Sequence, residues 1–330
     1  MLQDCILLSG KDVEAAAAGH ESELLSVVES AFRDWHAGRV VSPQKTSLIF
    51  DDVTQSRINC MPSGLPAQQV AGVKWVSVFP ENPKMGIPNV GGLLILSNLQ
   101  DGRAICVMDA SSLTELRTAI VDALAASYLK PNDTRVMAVL GTGRQARSHA
   151  IIFNALFEEI GEVRIAGRNP AHVRALASDL VRQGVPAASY DGDYAAAVGG
   201  ADIVVTAISG QEALLKRRWL GERVLYCHVG GLEDEDAVAQ SASKIICDDW
   251  NSLKHRGSPT IARMYERGLL ADDDISGNLG DLVSGVISPR EPSDGLIYFN
   301  AIGMSIIDVA VANWIYQECS KMSIGGSFVF

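Results

Sequence analysis

The sequence predicts an α/β fold in two parts: a doubly wound parallel sheet and, ahead of it, an α+β domain. Two observations predict this. From about residue 135 short apolar strand patterns alternate with helical ones, strands at 135–140, 163–166, 202–208, 223–229 and 244–248 and helices at 144–159, 170–183 and 234–241. That alternation builds a parallel sheet. Before residue 110, strand patterns follow one another with only Pro- and Gly-bearing turns between them, which predicts antiparallel pairing.

The first part opens with a helix over 22–37, because Leu24, Leu25, Val28, Ala31, Phe32 and Trp35 recur at helical spacing and Gly38 offers a stop. Strands are expected at 46–50, 57–61, 70–79, 91–97 and 104–108, with turns at Pro62-Ser63-Gly64 and Asp101-Gly102. A helix over 112–128 then leads to Lys130-Pro131-Asn132-Asp133, read as the domain junction. The chain closes with a short strand at 296–300 and a helix over 302–320.

The most informative stretch is Val136 to Ala146. An apolar strand stops on Gly141-Thr142-Gly143-Arg144-Gln145-Ala146, a G-x-G-x-x-A spacing that opens a helix. The first glycine permits a tight turn, the second lets backbone approach a pyrophosphate, and the small Ala146 lets helix and strand pack closely. A Rossmann-type dinucleotide site is therefore expected. The next strand ends in Gly167-Arg168-Asn169-Pro170 without an acid for a ribose 2′-hydroxyl. Arg168 offers a forked grip on a 2′-phosphate, so NADP(H) is expected ahead of NAD(H), with Asn169 beside it. His228, before Val229-Gly230-Gly231, and Thr206 end strands at the edge that faces the ligand crevice. Thr206, His228 and Gly230 are accordingly cofactor-binding candidates, whereas His255 lies in a charged loop and reads as solvated.

Composition narrows the function class. At 330 residues the chain is long enough for two domains, and 47% apolar with 20% charged residues fits a compact protein rather than a disordered one. A net charge of −11 without a basic stripe argues against nucleic-acid binding. The six cysteines are scattered with no C-x-x-C pair and read as free buried thiols; no His/Cys/carboxylate group has metal-site spacing. No apolar run reaches the length of a membrane span, and the N-terminus lacks the pattern of a signal peptide, so cytoplasm is expected.

Several motifs together resemble the ornithine cyclodeaminase/mu-crystallin family over nearly the whole chain. They are Cys60-Met61-Pro62, Gly72-Val73-Lys74-Trp75, Leu113-Thr114-Glu115-Leu116-Arg117-Thr118-Ala119, the glycine loop, Asp248-Asp249-Trp250, and Asn300-Ala301-Ile302-Gly303-Met304-Ser305-Ile306-Ile307-Asp308. The resemblance implies a homodimer, with residues 1–130 and a returning 305–330 forming the substrate and dimerisation domain and 131–304 the nucleotide domain. It implies that Lys74 is the substrate lysine and Arg117 the carboxylate-binding arginine. The resemblance further implies a second basic residue near the carboxylate, at Lys45, and places Met61 and Gly303 along the substrate. Asn59 stands where cyclodeaminases carry a glutamate. One departure matters: the family aspartate that follows a Gly-Gly or Gly-Ala strand end is here Leu232, with Glu233 and Asp234 one and two positions late. The C-terminal third is similar to the subgroup of the siderophore-pathway synthase of N-(2-amino-2-carboxyethyl)-glutamate.

The reaction class implied is hydride transfer between nicotinamide C4 and the Cα of a small amino acid or imine. Arg117 suits a planar carboxylate. Lys74, if partly desolvated, suits the nitrogen or the carboxylate, although an alternating strand often turns a lysine to solvent. Asp308, in the apolar helix run Ile306-Ile307-Asp308-Val309-Ala310, needs a partner if buried. The expected activity is a ketimine reductase or an amino-acid or opine-type dehydrogenase. The alternatives are a cyclodeaminase-like lyase and a non-catalytic, NADPH-dependent small-ligand-binding protein.

Overall fold

The structure is a computed structural model and describes residues 5–51, 53–54, 56–208 and 212–329. In chain order the first elements are β1 (Cys5–Leu8), α1 (Gly10–Ala17), α2 (Glu21–His36), β2 (Thr46–Asp51), β3 (Ser56–Leu65), β4 (Val70–Val78), β5 (Val90–Asn98), β6 (Ala104–Asp109) and α3 (Ala110–Leu129). The alternating part follows: β7 (Val136–Leu140), α4 (Arg144–Leu156), β8 (Glu162–Ala166), α5 (Pro170–Arg182), β9 (Ala187–Ser189), α6 (Tyr194–Val198), β10 (Ile203–Thr206), β11 (Leu225–His228), α7 (Asp236–Gln240) and β12 (Lys244–Cys247). The chain ends with α8 (Trp250–Leu253), α9 (Thr260–Glu266), β13 (Gly277–Asn278), α10 (Leu279–Val283), β14 (Ile297–Asn300), α11 (Ser305–Met322) and β15 (Gly326–Phe328).

Two compact units result, residues 1–117 with 304–330 and residues 118–303. The division falls inside α3, after Arg117, and not at the Lys130–Asp133 turn. The second half of α3 is fastened within the second unit: His149 Nε2 meets Asp122 Oδ2 at 3.1 Å and Arg290 Nε donates to the Leu129 carbonyl at 2.6 Å.

The first unit is a seven-stranded sheet in the order β15-β1-β6-β5-β4-β3-β2. Strands β2 to β6 form the expected antiparallel meander, and β1 joins β6 in parallel, so the sheet is mixed. Alternation decides its faces. On β4, Val70, Lys74 and Val76 are buried while Trp75 is 45% exposed. The buried face is covered by α11, which comes close enough at Gly72 that a Cβ there would lie 3.0 Å from Val309 Cγ2. The opposite face leaves Leu7, Trp75, Leu93 and Ile95 exposed.

The second unit is an eight-stranded parallel sheet, β13-β12-β14-β11-β10-β7-β8-β9. Its strands read as unbroken apolar runs because both faces are buried. From β7 the chain runs outward through β8 to β9, then returns to place β10 on the other side of β7. That reversal puts a ligand crevice at the C-terminal ends of β7 and β10. Among the described residues no helix is long and apolar enough to cross a membrane, and all six cysteines are free.

Candidate active site and dinucleotide crevice

In the first unit three charged side chains meet in the apolar interior. Lys74 sits mid-strand on β4, opposite Met61 on β3 and Leu94 on β5. Asp308 lies in the first turn of α11, the helix that covers this face. Its Oδ1 accepts from Lys74 Nζ at 2.8 Å and from Arg117 Nε at 2.9 Å, and its Oδ2 lies 2.7 Å from Lys74 Nζ. Lys74 Nζ also reaches Thr114 Oγ1 at 3.5 Å; Thr114 and Arg117 are three apart on α3 and share a face. Lys74 is 2% exposed, Arg117 6% and Asp308 0%.

Unpaired, each of these charges would be prohibitively costly here; together they offset one another's desolvation. Asp308 takes both cations at once. Arg117 uses Nε toward Asp308, which leaves the two terminal amino groups of its guanidinium as a fork suited to a carboxylate. Met61 is buried next to Lys74 in register, while Lys45 stands half-buried just before β2. Asn59 is buried and accepts from Ser47 Oγ at 2.8 Å. The expectation that Asp308 has a partner is met by two.

In the second unit the glycine loop closes β7. Gly141 has φ +143°, donates to the Ala166 carbonyl at 2.8 Å, and a Cβ there would lie 2.4 Å from the Ala207 carbonyl oxygen. Any other residue would push the ends of β7 and β10 apart. Gly143 is the N-cap of α4 and makes no side-chain cap, and a Cβ on it would meet nothing within 4 Å. The space beside Gly143 at the start of this 13-residue helix is open, an arrangement that fits an anionic diphosphate. Thr142, exposed Arg144 and half-buried Gln145 flank this turn, and Ala146 is fully buried under it. Arg168 is exposed at the end of β8, the adenosine side of such a crevice.

Four residues expected to bind cofactor are used differently. Asn169 Oδ1 caps α5 by accepting from Ala171 N at 2.9 Å. Thr206 and His228 are fully buried, and Gly230 donates its N–H inward to Glu233 Oε2 at 2.8 Å. The Thr206 and His228 side chains are engaged in a buried polar network at the ends of β10 and β11. Glu233 Oε2 accepts from Thr206 Oγ1 at 2.7 Å and its Oε1 from Ile208 N at 2.7 Å. Thr206 Oγ1 lies 2.8 Å from Tyr226 Oη. Asp234 Oδ1 gathers His228 Nδ1 (3.0 Å), Thr260 Oγ1 (2.7 Å) and Tyr298 Oη (3.2 Å).

The second ring nitrogen of His228, Nε2, meets the Gly231 carbonyl at 2.7 Å. Both ring nitrogens face acceptors, so the ring carries two protons and a positive charge. Burial opposes that charge, but the Asp234 hydrogen bond and the fields of Glu233 and Asp234 outweigh it and hold the imidazole up to about 9. Burial likewise raises Glu233, against the His228 charge and three hydrogen bonds.

Sequence reasoning placed Asp248 only within a motif. Its Oδ2 accepts from Ile302 N at 3.0 Å and Gly303 N at 2.7 Å, fixing the turn in which Gly303 takes φ +82°. Burial pushes this carboxyl up to about 6. The Asp-Asp-Trp run at a strand end was the available signal. His255 is exposed, and Leu232 is half-buried.

Residues 5–323 match the sequence model of the ornithine cyclodeaminase/mu-crystallin family. The chain belongs to this family. A solved archaeal alanine dehydrogenase dimer with bound NAD is 27% identical, with a TM-score of 0.90 over 99% of this chain and 100% of that one. The Thermococcus litoralis Δ1-pyrroline-2-carboxylate reductase, in complex with NADH and L-proline, is 25% identical, with a TM-score of 0.88 over 97% and 99%. N-((2S)-2-amino-2-carboxyethyl)-L-glutamate dehydrogenase of Staphylococcus aureus is 26% identical over 98% of each chain. That relative represents the expected subgroup, and by name it is a dehydrogenase rather than a condensing synthase.

Proposed function

We propose that this family member is an NAD(P)-dependent oxidoreductase. It would move hydride between nicotinamide C4 and the Cα of a small α-amino acid or its imine, as a ketimine reductase or an amino-acid or opine-type dehydrogenase. The observation that carries the reading is the buried Lys74–Asp308–Arg117 triad, in which Asp308 engages Nε of Arg117 and leaves the terminal amino groups of the guanidinium to take a carboxylate. Its relatives act on substrates of this kind, alanine and pyrroline-2-carboxylate by name.

The nicotinamide cofactor, when bound, supplies or accepts the hydride. Arg117 holds the substrate carboxylate through its terminal nitrogens, and Asp308 holds Arg117 from the other side. The same carboxylate aims Lys74 Nζ, which serves the reacting nitrogen by giving it a proton when the imine is reduced and removing one when the amine is oxidised. Cofactor would be held by the glycine loop from Gly141 to Ala146, with Arg168 on the 2′-phosphate, which supports a preference for NADP(H) over NAD(H). The exposed apolar sheet face around Trp75 and Leu93 supports a homodimer.

Replacing Lys74 by Ala tests the reading directly. Turnover of the imine is expected to vanish while NADPH affinity, read by fluorescence, stays nearly unchanged. Surviving turnover would refute the site. Ornithine is expected to give no proline and ammonia, since Leu232 replaces the acid the family uses there; clear ornithine turnover without net NADH would move the function to a cyclodeaminase.

A further inference from the structure

The chain lacks the family acid at position 232, yet it holds two carboxylates immediately after it, both wholly buried. What Glu233 does there is specific. Its two oxygens collect the backbone N–H of Ile208, just past β10, the N–H of Gly230, just past β11, and the Thr206 hydroxyl at the end of β10. One side chain therefore ties together the crevice-side ends of two adjacent strands. Gly230 is part of the device: a Cβ there would fall 2.5 Å from Glu233 Oε1 and 2.8 Å from the Ile208 carbonyl oxygen.

The cluster is also charged in a defined way. Among the described residues the hydrogen bonds that reach Glu233 all come from donors, which fits the ionised form. His228, doubly protonated, lies 3.7 Å from Glu233 and 3.0 Å from Asp234. One cation and two anions leave one net negative charge in a region where water cannot screen it. With diphosphate at the end of β7 and the adenosine half toward Arg168 on β8, the nicotinamide half of a dinucleotide falls toward β10 and β11.

We propose that ionised Glu233 is a positioning residue for the nicotinamide half of the cofactor. It fixes the two strand ends the ring lies against, and its charge biases the crevice toward the oxidised, positively charged ring. The inference rests on the dinucleotide reading above.

The test compares affinities for NADP+ and NADPH, NADPH by fluorescence and NADP+ by its displacement. Glu233→Gln keeps the shape, removes the charge, and should lower the NADP+ to NADPH affinity ratio about fivefold. His228→Gln removes the cation and should raise the ratio. A structural role alone would weaken both forms equally, so unchanged ratios in folded variants overturn the proposal.

If either variant fails to fold, as judged by circular dichroism, the wild-type protein decides alone. Its ratio should rise between pH 8 and 10, as His228 gives up its proton near 9. The groups facing that ring are Glu233 and Asp234 from the loop, Tyr226 from β11 and Tyr298 from β14, with Cys247 of β12 behind Tyr298. Burial pushes Tyr226, Tyr298 and Cys247 well above their ordinary ranges, so they keep their protons through this interval. A flat ratio across it sinks the proposal. Wild-type protein that binds neither nucleotide would refute the functional reading instead.

Discussion

Asp308 is the residue on which the first unit's chemistry turns, since it reaches both Lys74 and Arg117. Asp308→Ala would leave two buried cations facing each other and should cost about 3–5 kcal/mol of stability, measured by urea denaturation. Asp308→Asn keeps the shape and should cost less while still impairing turnover, because a neutral amide cannot balance Lys74. Arg117→Lys exchanges a planar fork for a point charge, and the KM for the carboxylate substrate should rise ten- to a hundredfold, roughly the worth of a bidentate charged pair. An unchanged KM would remove Arg117 from the carboxylate role. Lys74 shows how far the sequence could be read. Its alternating strand was compatible with a solvent-facing lysine, and only the family motif argued otherwise. Periodicity cannot reveal a partner 234 residues away, which is the separation between Lys74 and Asp308.

Strands and turns carry the second unit's chemistry. The glycine loop was legible because its spacing has a local cause, the clash a Cβ at Gly141 would make with Ala207. Gly141→Ala should therefore abolish cofactor binding, and a titration showing near-normal affinity would contradict the loop's assigned role. The partners of the neighbouring strand ends were not legible: Thr206 and His228 end strands at the crevice edge, and their side chains join Glu233 and Asp234, acids from the loop after β11 that no local spacing marks. This network makes stability depend on pH. The folded His228 is held at about 9, above its ordinary 6.5, so its contribution is complete below pH 6.5 and is lost as pH rises through 9. That contribution is about 3 kcal/mol. Thermal melts should show stability falling across this interval, and the fall should flatten in His228→Gln. The short strands β1, β9, β13 and β15 left no usable periodic signal, since a strand of two to four residues spans too few positions.

Across the whole molecule, the order of elements was readable because each unit follows one pairing rule: a meander in the first, strand–helix alternation in the second. The unit boundary inside α3 was not, because a helix of even composition carries no mark where its packing partners change. The exposed apolar face of the first sheet belongs to the same scale. Trp75 is 45% and Leu93 51% exposed as direct neighbours on one sheet face, the kind of apolar surface that marks an association site. If the proposed homodimer uses this face, Trp75→Asp should shift sedimentation from dimer to monomer, and a dimer that survives it would place the interface elsewhere. The central claim concerns chemistry, and one assay tests it most directly. Purified protein is mixed with NADPH, or in parallel with NADH, and a panel of cyclic ketimines and keto-acid/amine pairs, and cofactor oxidation is followed by absorbance. Turnover of at least one imine that bears an α-carboxylate is expected, faster with NADPH, and lost in Lys74→Ala. Tight cofactor binding with no oxidation across the panel, or oxidation undiminished in Lys74→Ala, would contradict the claim.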